Sequence, residues 1–219
     1  MKKINLFILL VALVLTSCNN KPITEEEGFD YGAVKNNRYT NSFFDIKIAI
    51  PQNWVVQTQE QSKELMKEGA EFVAGDNEKM KAAIKASEVN SASLLTVFQY
   101  KEGIAEIFNP SFMLVAESLK RAPGVRSGED YLSQSRKLLL SGQVQYKHID
   151  ENFKKVRVNG WEFYAMNLAI EMEGVSIYQT YMATVKDGFA LCFIYSYNDE
   201  DQKAQLEKVV QSIDYYKKK

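Results

Sequence analysis

Asn167, Thr180 and Tyr195 fall in one line across three strand-like runs, with Tyr178 beside them. An amide, a hydroxyl and a phenol can donate to and accept from a bound polar molecule, and the tyrosine rings add flat apolar surface. That combination suits binding rather than bond breaking. The row has two readings. Its hydroxyls could bond each other and a covering helix as part of the core. Alternatively it forms an aromatic-rimmed pocket for a small ligand or a peptide. Two other groupings could do acid–base work. His148 beside Asp150 is a conceivable general base, though no serine or cysteine can be placed near it from sequence. Glu171 and Glu173 alternate with Met172 and could face one side, but they flank a turn, where a solvated pair is the ordinary reading.

The remaining chemistry is sparse. No G-x-S-x-G, P-loop, G-x-G-x-x-G or H-E-x-x-H motif occurs. A single histidine cannot supply the imidazole cluster of most zinc sites, so no metal and no cofactor is expected. Cys192 sits in the apolar run from Phe189 to Ile194 with no cation or base nearby and reads as a buried small hydrophobe. A non-catalytic protein is the expectation. The alternatives are an enzyme built on His148 with Asp150, or on the polar row, and a purely structural protein of maintenance or stress.

The row exists only if the strands that carry it are in register. Trp161 to Met172, Val175 to Lys186 and Phe189 to Tyr197 read as three strands. Glu173-Gly174 and Asp187-Gly188 separate them, and Asp-Gly is a strong two-residue hairpin signal. Two-residue turns pair Thr180 with both Asn167 and Tyr195. One face then gathers Met166, Leu168, Ile170, Val175, Ile177, Tyr181, Cys192 and Ile194. The other gathers Phe163, Ala165, Met182, Leu191, Phe193 and Tyr197 around the row. Both faces are apolar, so both need cover.

Cover is available from amphipathic segments over 60–74, 76–88, 127–141 and 199–213, each with start or stop chemistry at its ends. Asn109-Pro110-Ser111 is also good helix-start chemistry, so a further helix is expected to carry Phe112, Leu114, Val115 and Leu119. Strands are expected over 44–50, 92–100, 143–150 and 153–158, with Pro51 ending the first. The fold class expected is α+β: an antiparallel sheet covered by helices on both faces.

The chain has 219 residues, 46% hydrophobic and 25% charged, with 27 basic residues against 28 acidic. That is enough for one domain with a full core. The balanced charge argues against a nucleic-acid binder, which would need a basic face. Lys2 and Lys3 precede an apolar run from Ile4 to Thr16, too short to span a bilayer. A basic start, a short apolar stretch and small residues before a cut site make a secretory signal. Leu15-Thr16-Ser17-Cys18 resembles the lipobox of bacterial lipoproteins. The resemblance implies cleavage after Ser17, a lipid on Cys18 and a place in the bacterial cell envelope. Asn19 lacks the acidic signal for inner-membrane retention, which favours the outer membrane where the host has one. Residues 1–17 are then a signal peptide, 18–37 a polar lipidated tether and 38–219 a single domain. With Cys18 lipidated, Cys192 has no partner for a disulfide.

Two stretches carry a further resemblance. Tyr39 to Trp54, an extended run followed by Pro51, a polar pair and Trp54, resembles the opening of PsbP-like and Mog1-like domains. Leu206 to Ile213, with Ser212 before an apolar residue, resembles their closing helix. The resemblance implies an α/β/α sandwich around an antiparallel sheet and leaves function open, because that fold serves many roles. The partners expected are the membrane through the N-terminal lipid, and an envelope protein or a small ligand.

Overall fold

The computed structural model describes residues 22–104 and 108–215. The signal peptide, Cys18 and the first residues of the expected tether lie outside the described residues. In chain order the strands are β1 (Ala33–Lys35), β2 (Arg38–Asn41), β3 (Ile46–Ala49), β4 (Val55–Val56), β5 (Ser91–Phe98), β6 (Ser111–Ser118), β7 (Tyr146–Ile149), β8 (Lys154–Val158), β9 (Trp161–Met172), β10 (Val175–Lys186), β11 (Phe189–Tyr197) and β12 (Asp214–Tyr215). The helices are α1 (Gln59–Ala74), α2 (Glu78–Glu88), α3 (Gly128–Ser141) and α4 (Glu200–Gln211).

Helix starts follow local chemistry. Thr58 and Gln61 form a reciprocal capping box on α1. Asn77, Ser127 and Asp199 each accept a backbone N–H in the first turn of α2, α3 and α4. Each such cap is worth about 1 kcal/mol. Gly128 lets α3 press onto the sheet: a Cβ there would lie 2.1 Å from the Ala183 carbonyl oxygen.

A large sheet runs β4-β5-β6-β11-β10-β9-β7, with β8 also on β9, and every pairing is antiparallel. One face packs under α1, α2 and α3 through Val73, Met80, Ile84, Tyr131, Leu132 and Leu139. The other packs under α4 and a small sheet, β1-β2-β3-β12. Helices thus lie on both faces, but the second face shares its cover with strands: Tyr39, Ile46 and Ile48 of the small sheet are buried there.

Two expectations are corrected. Residues 111–118 form no helix; they are β6, between β5 and β11, and all eight are buried. Ser-Phe-Met-Leu-Val-Ala-Glu-Ser has no polar stripe, and a run buried on both faces belongs to a central strand. Asn109 does not cap a helix. It accepts from the Tyr100 N–H at 3.0 Å and donates to the Tyr100 carbonyl at 2.8 Å, closing the β5–β6 connection.

The second correction concerns the tether. From Pro22 onward the segment is docked. Ile23 is buried and its N–H donates to the Val89 carbonyl at 3.0 Å. Phe29 packs edge-on against Phe43 and Phe44. Glu26 pairs with Lys120, and β1 pairs with β2. Apolar residues scattered in a polar stretch found a surface that composition alone does not reveal.

Candidate functional site

The two tight turns have the geometry that two-residue hairpins need. Glu173 and Gly174 have φ of 50° and 80°, and Asp187 and Gly188 have 51° and 82°. Left-handed backbone at both turn positions matches the twist of the flanking strands. Thr180 is therefore opposite Asn167 on β9 and opposite Tyr195 on β11. Tyr178 is opposite Ala169 and Tyr197. The structure brings all four expected residues together on the face shared by α4 and the small sheet.

The polar row is continuous and longer than expected. The Thr180 hydroxyl donates to Asn167 Oδ1 at 2.9 Å. On the other side Thr180 stands directly opposite Tyr195, with Tyr197 two residues further along the same strand. Asn167 donates both its backbone N–H and its amide to Asp150 Oδ2, each at 2.8 Å. The other Asp150 oxygen lies 2.7 Å from His148 Nε2. Burial raises the Asp150 pKa, but the bonds from the Asn167 N–H, His148 and the Asn167 amide outweigh it and hold the carboxyl below its usual range. His148 and Asp150 thus extend the row onto β7, where His148 is exposed.

The aromatic part runs beside this row. Tyr178 and Tyr197 stack with centroids 5.6 Å apart and planes 22° apart, and Tyr195 follows at 6.3 Å. Tyr195 and Tyr197 are 9% and 8% exposed, whereas Tyr178 is 41% exposed. α4 roofs the buried pair: the Lys203 ammonium sits 6.0 Å above the Tyr197 ring, steadied by Glu200 at 3.2 Å. Burial raises the pKa of both phenols, so they stay protonated donors at neutral pH.

The arrangement offers a ring face, amide and imidazole edges and a fixed carboxylate along an open margin. It is not a nucleophile with a base. The Thr180 hydroxyl points to Asn167 rather than to His148, and His148 Nε2 is engaged by Asp150. Glu171 is paired with Lys147 at 2.9 Å, and Glu173 is a turn residue. Cys192 is fully buried, and burial followed by the nearby Glu117 pushes its thiol pKa up. Among the described residues no group of three or more His, Cys, Asp and Glu could hold a metal ion.

Sequence reasoning noted His148 and Asp150 but did not join them to the row. The link is the β7–β9 pairing, in which Asp150 N–H donates to the Asn167 carbonyl at 2.9 Å. That pairing carries a bulge between Tyr146 and His148, and no short turn sets its register.

No protein-family model matches the sequence. No curated protein matches it either. The fold and site define an α+β protein with a helix-covered antiparallel sheet and a partly open tyrosine row. Among solved structures, a protein from Bacteroides thetaiotaomicron VPI-5482 is similar at 11% identity and a TM-score of 0.43, over 80% of this chain and 46% of that one. The chain therefore spans under half the length of that protein. LpqN of Mycobacterium tuberculosis, involved in cell envelope biogenesis, is similar at 9% identity and 0.40, over 76% and 79%. The cyanobacterial PsbP of Synechocystis sp. PCC 6803 is similar at 12% identity and 0.45, over 87% and 99%.

Proposed function

We propose that the protein is a non-catalytic binding protein of the bacterial cell envelope, held by a lipid on Cys18. It presents the tyrosine row to a small ligand or a protein partner. One observation carries the binding part: an exposed ring, Tyr178, continues a stack whose other members are locked under α4. A rigid, half-wet aromatic beside prearranged polar groups loses little entropy when it is covered. The anchor part rests on the basic start, the short apolar run and the Leu15-Thr16-Ser17-Cys18 tetrad. The outer membrane is the favoured location where the host has one.

Photo-crosslinking in intact cells tests the binding surface. A crosslinking residue at Tyr178 is compared with one at Leu140, an exposed position on α3 over the opposite face. A discrete adduct at 178 and none at 140 supports the reading. Equal adducts at both positions, or none at 178, sink it.

A further inference from the structure

Docking of the expected tether shortens the leash between anchor and domain. Pro22 is already against the fold, so only four residue steps separate it from Cys18. Fully extended, they reach at most about 14 Å. Pro22 lines a groove of 660 Å³ between α1, α2 and the start of β5, with Met66, Ala70 and Ile84 inside. Tyr31 and Val89 line the same groove and remain 37% and 39% exposed. Charges of both signs, Lys63 and Lys67 with Glu60 and Glu64, share its lining.

We infer that this corner of the domain is a membrane-facing surface, seated on the lipid bilayer beside the Cys18 anchor. The inference rests on the lipidation of Cys18 proposed above. A headgroup layer is about 5–7 Å thick, so a chain of that reach keeps the corner within roughly 10 Å of it. Tyr31 is suited to the headgroup level, where an apolar ring and a polar tip are both satisfied. Mixed charge gives no pull toward anionic lipid, so neutral lipid suffices.

The seating also fixes where the tyrosine row points. The groove corner is at Ser91 of β5, which lies level with Glu117, Ala190 and Val185 across the sheet. Tyr178 is further back along β10 from Val185, about 23 Å at a strand's rise. His148 is on β7, at the opposite edge of the sheet from β4 and β5. The candidate site therefore occupies the corner diagonally away from the bilayer, where an envelope partner can reach it.

The test uses the acylated full chain in vesicles of neutral phosphatidylcholine, with an environment-sensitive fluorophore on Val89→Cys or on Lys147→Cys. With Cys18 acylated and Cys192 buried, the introduced thiol takes the label. Quenchers on the lipid tails should dim the Val89 probe several-fold more than the Lys147 probe, and adding anionic lipid should leave the ratio unchanged. Equal quenching at both positions, with palmitate retained on the protein, overturns the seating and leaves the anchor intact. Failure of palmitate to label the chain through Cys18 overturns the anchor and the seating with it.

Discussion

The two faces of the large sheet began with the same apolar alternation and were finished differently. Under α1, α2 and α3 the polar groups are closed inward. Glu117 accepts from the Tyr131 hydroxyl at 3.0 Å, and Gln179 donates to Ser196 at 2.7 Å, all of them buried. Under α4 and the small sheet the polar row runs outward, from buried Tyr195 through Thr180 and Asn167 to exposed His148. The difference lies in the roof. Lys186, near the Asp187 turn, donates to the Phe44 carbonyl at 2.6 Å and ties the small sheet over that end of the strands. α4 covers Tyr195 and Tyr197, and the cover stops before Tyr178. An incomplete roof turns core residues into a surface that can bind.

The largest effect expected from this contrast is in how each face responds to pH. Burial pushes the Glu117 carboxyl up from 4.5 to about 8, and the Tyr131 hydrogen bond offsets only part of the rise. Tyr131 and Cys192 beside it are raised by burial too and stay neutral through this range. A carboxyl raised in the fold stabilises fully below its unfolded value, and the stabilisation is lost as pH climbs to the folded value. The window here is pH 4.5 to 8, and the loss across it is roughly 5 kcal/mol. Asp150 on the other face is lowered, so its contribution is present above pH 3.8 and is lost only in stronger acid. Thermal melts should show Tm falling from pH 5 to pH 8, with the slope flattened in Glu117→Gln. An equal slope in that variant would mean that Glu117 is hydrated or paired in solution.

Next in size is the difference along the tyrosine stack. Tyr195→Ala removes a buried ring from under α4 and should cost about 3 kcal/mol. Tyr178→Ala removes the exposed ring and should change stability by about 0.5 kcal/mol or less. Urea denaturation of the two variants measures both. Comparable costs would mean that Tyr178 is packed like its neighbours, and the open margin would disappear as a site.

How much of this was readable from residue order differs by region for physical reasons. The three long strands and the row were legible because turn residues stood at both joints and the side-chain period is two. The four helices were legible because apolar residues recur at helical spacing and break or cap residues stand at their ends. Gly75 and Asp76 stand between the first two, Ser127 before the third, and Asn198 to Asp201 before the fourth. The caps of the first two, Thr58 and Asn77, are found only in the structure. β6 was misread because Asn109-Pro110 mimics a helix start, while the evidence for a strand is the absence of a polar stripe over 111–118. The docking of residues 22–37 and the joining of His148 to Asn167 depend on contacts distant in sequence. Ile23 meets Val89, and Asp150 meets Asn167 across a bulged edge. No local pattern announces either.

The smallest effect tests the register on which the comparison of faces depends. A one-residue slip between β9 and β10 would exchange the faces and scatter Asn167, Thr180 and Tyr195. The turn holding that register contains Glu173 at φ 50°, a left-handed conformation in which a long side chain is disfavoured. Asn tolerates that conformation, and Asn-Gly is the preferred pair for this turn. Glu173 carries no ion pair among the described contacts, so its replacement removes turn strain alone. Glu173→Asn should therefore stabilise the protein by about 0.5–1 kcal/mol, read as a Tm rise of a few degrees, and leave crosslinking at position 178 unchanged. A stable variant with altered crosslinking would place the register, and with it the site, under the control of that single turn. An unchanged Tm would assign the register to the cross-strand pairs, Thr180 with Asn167 foremost among them.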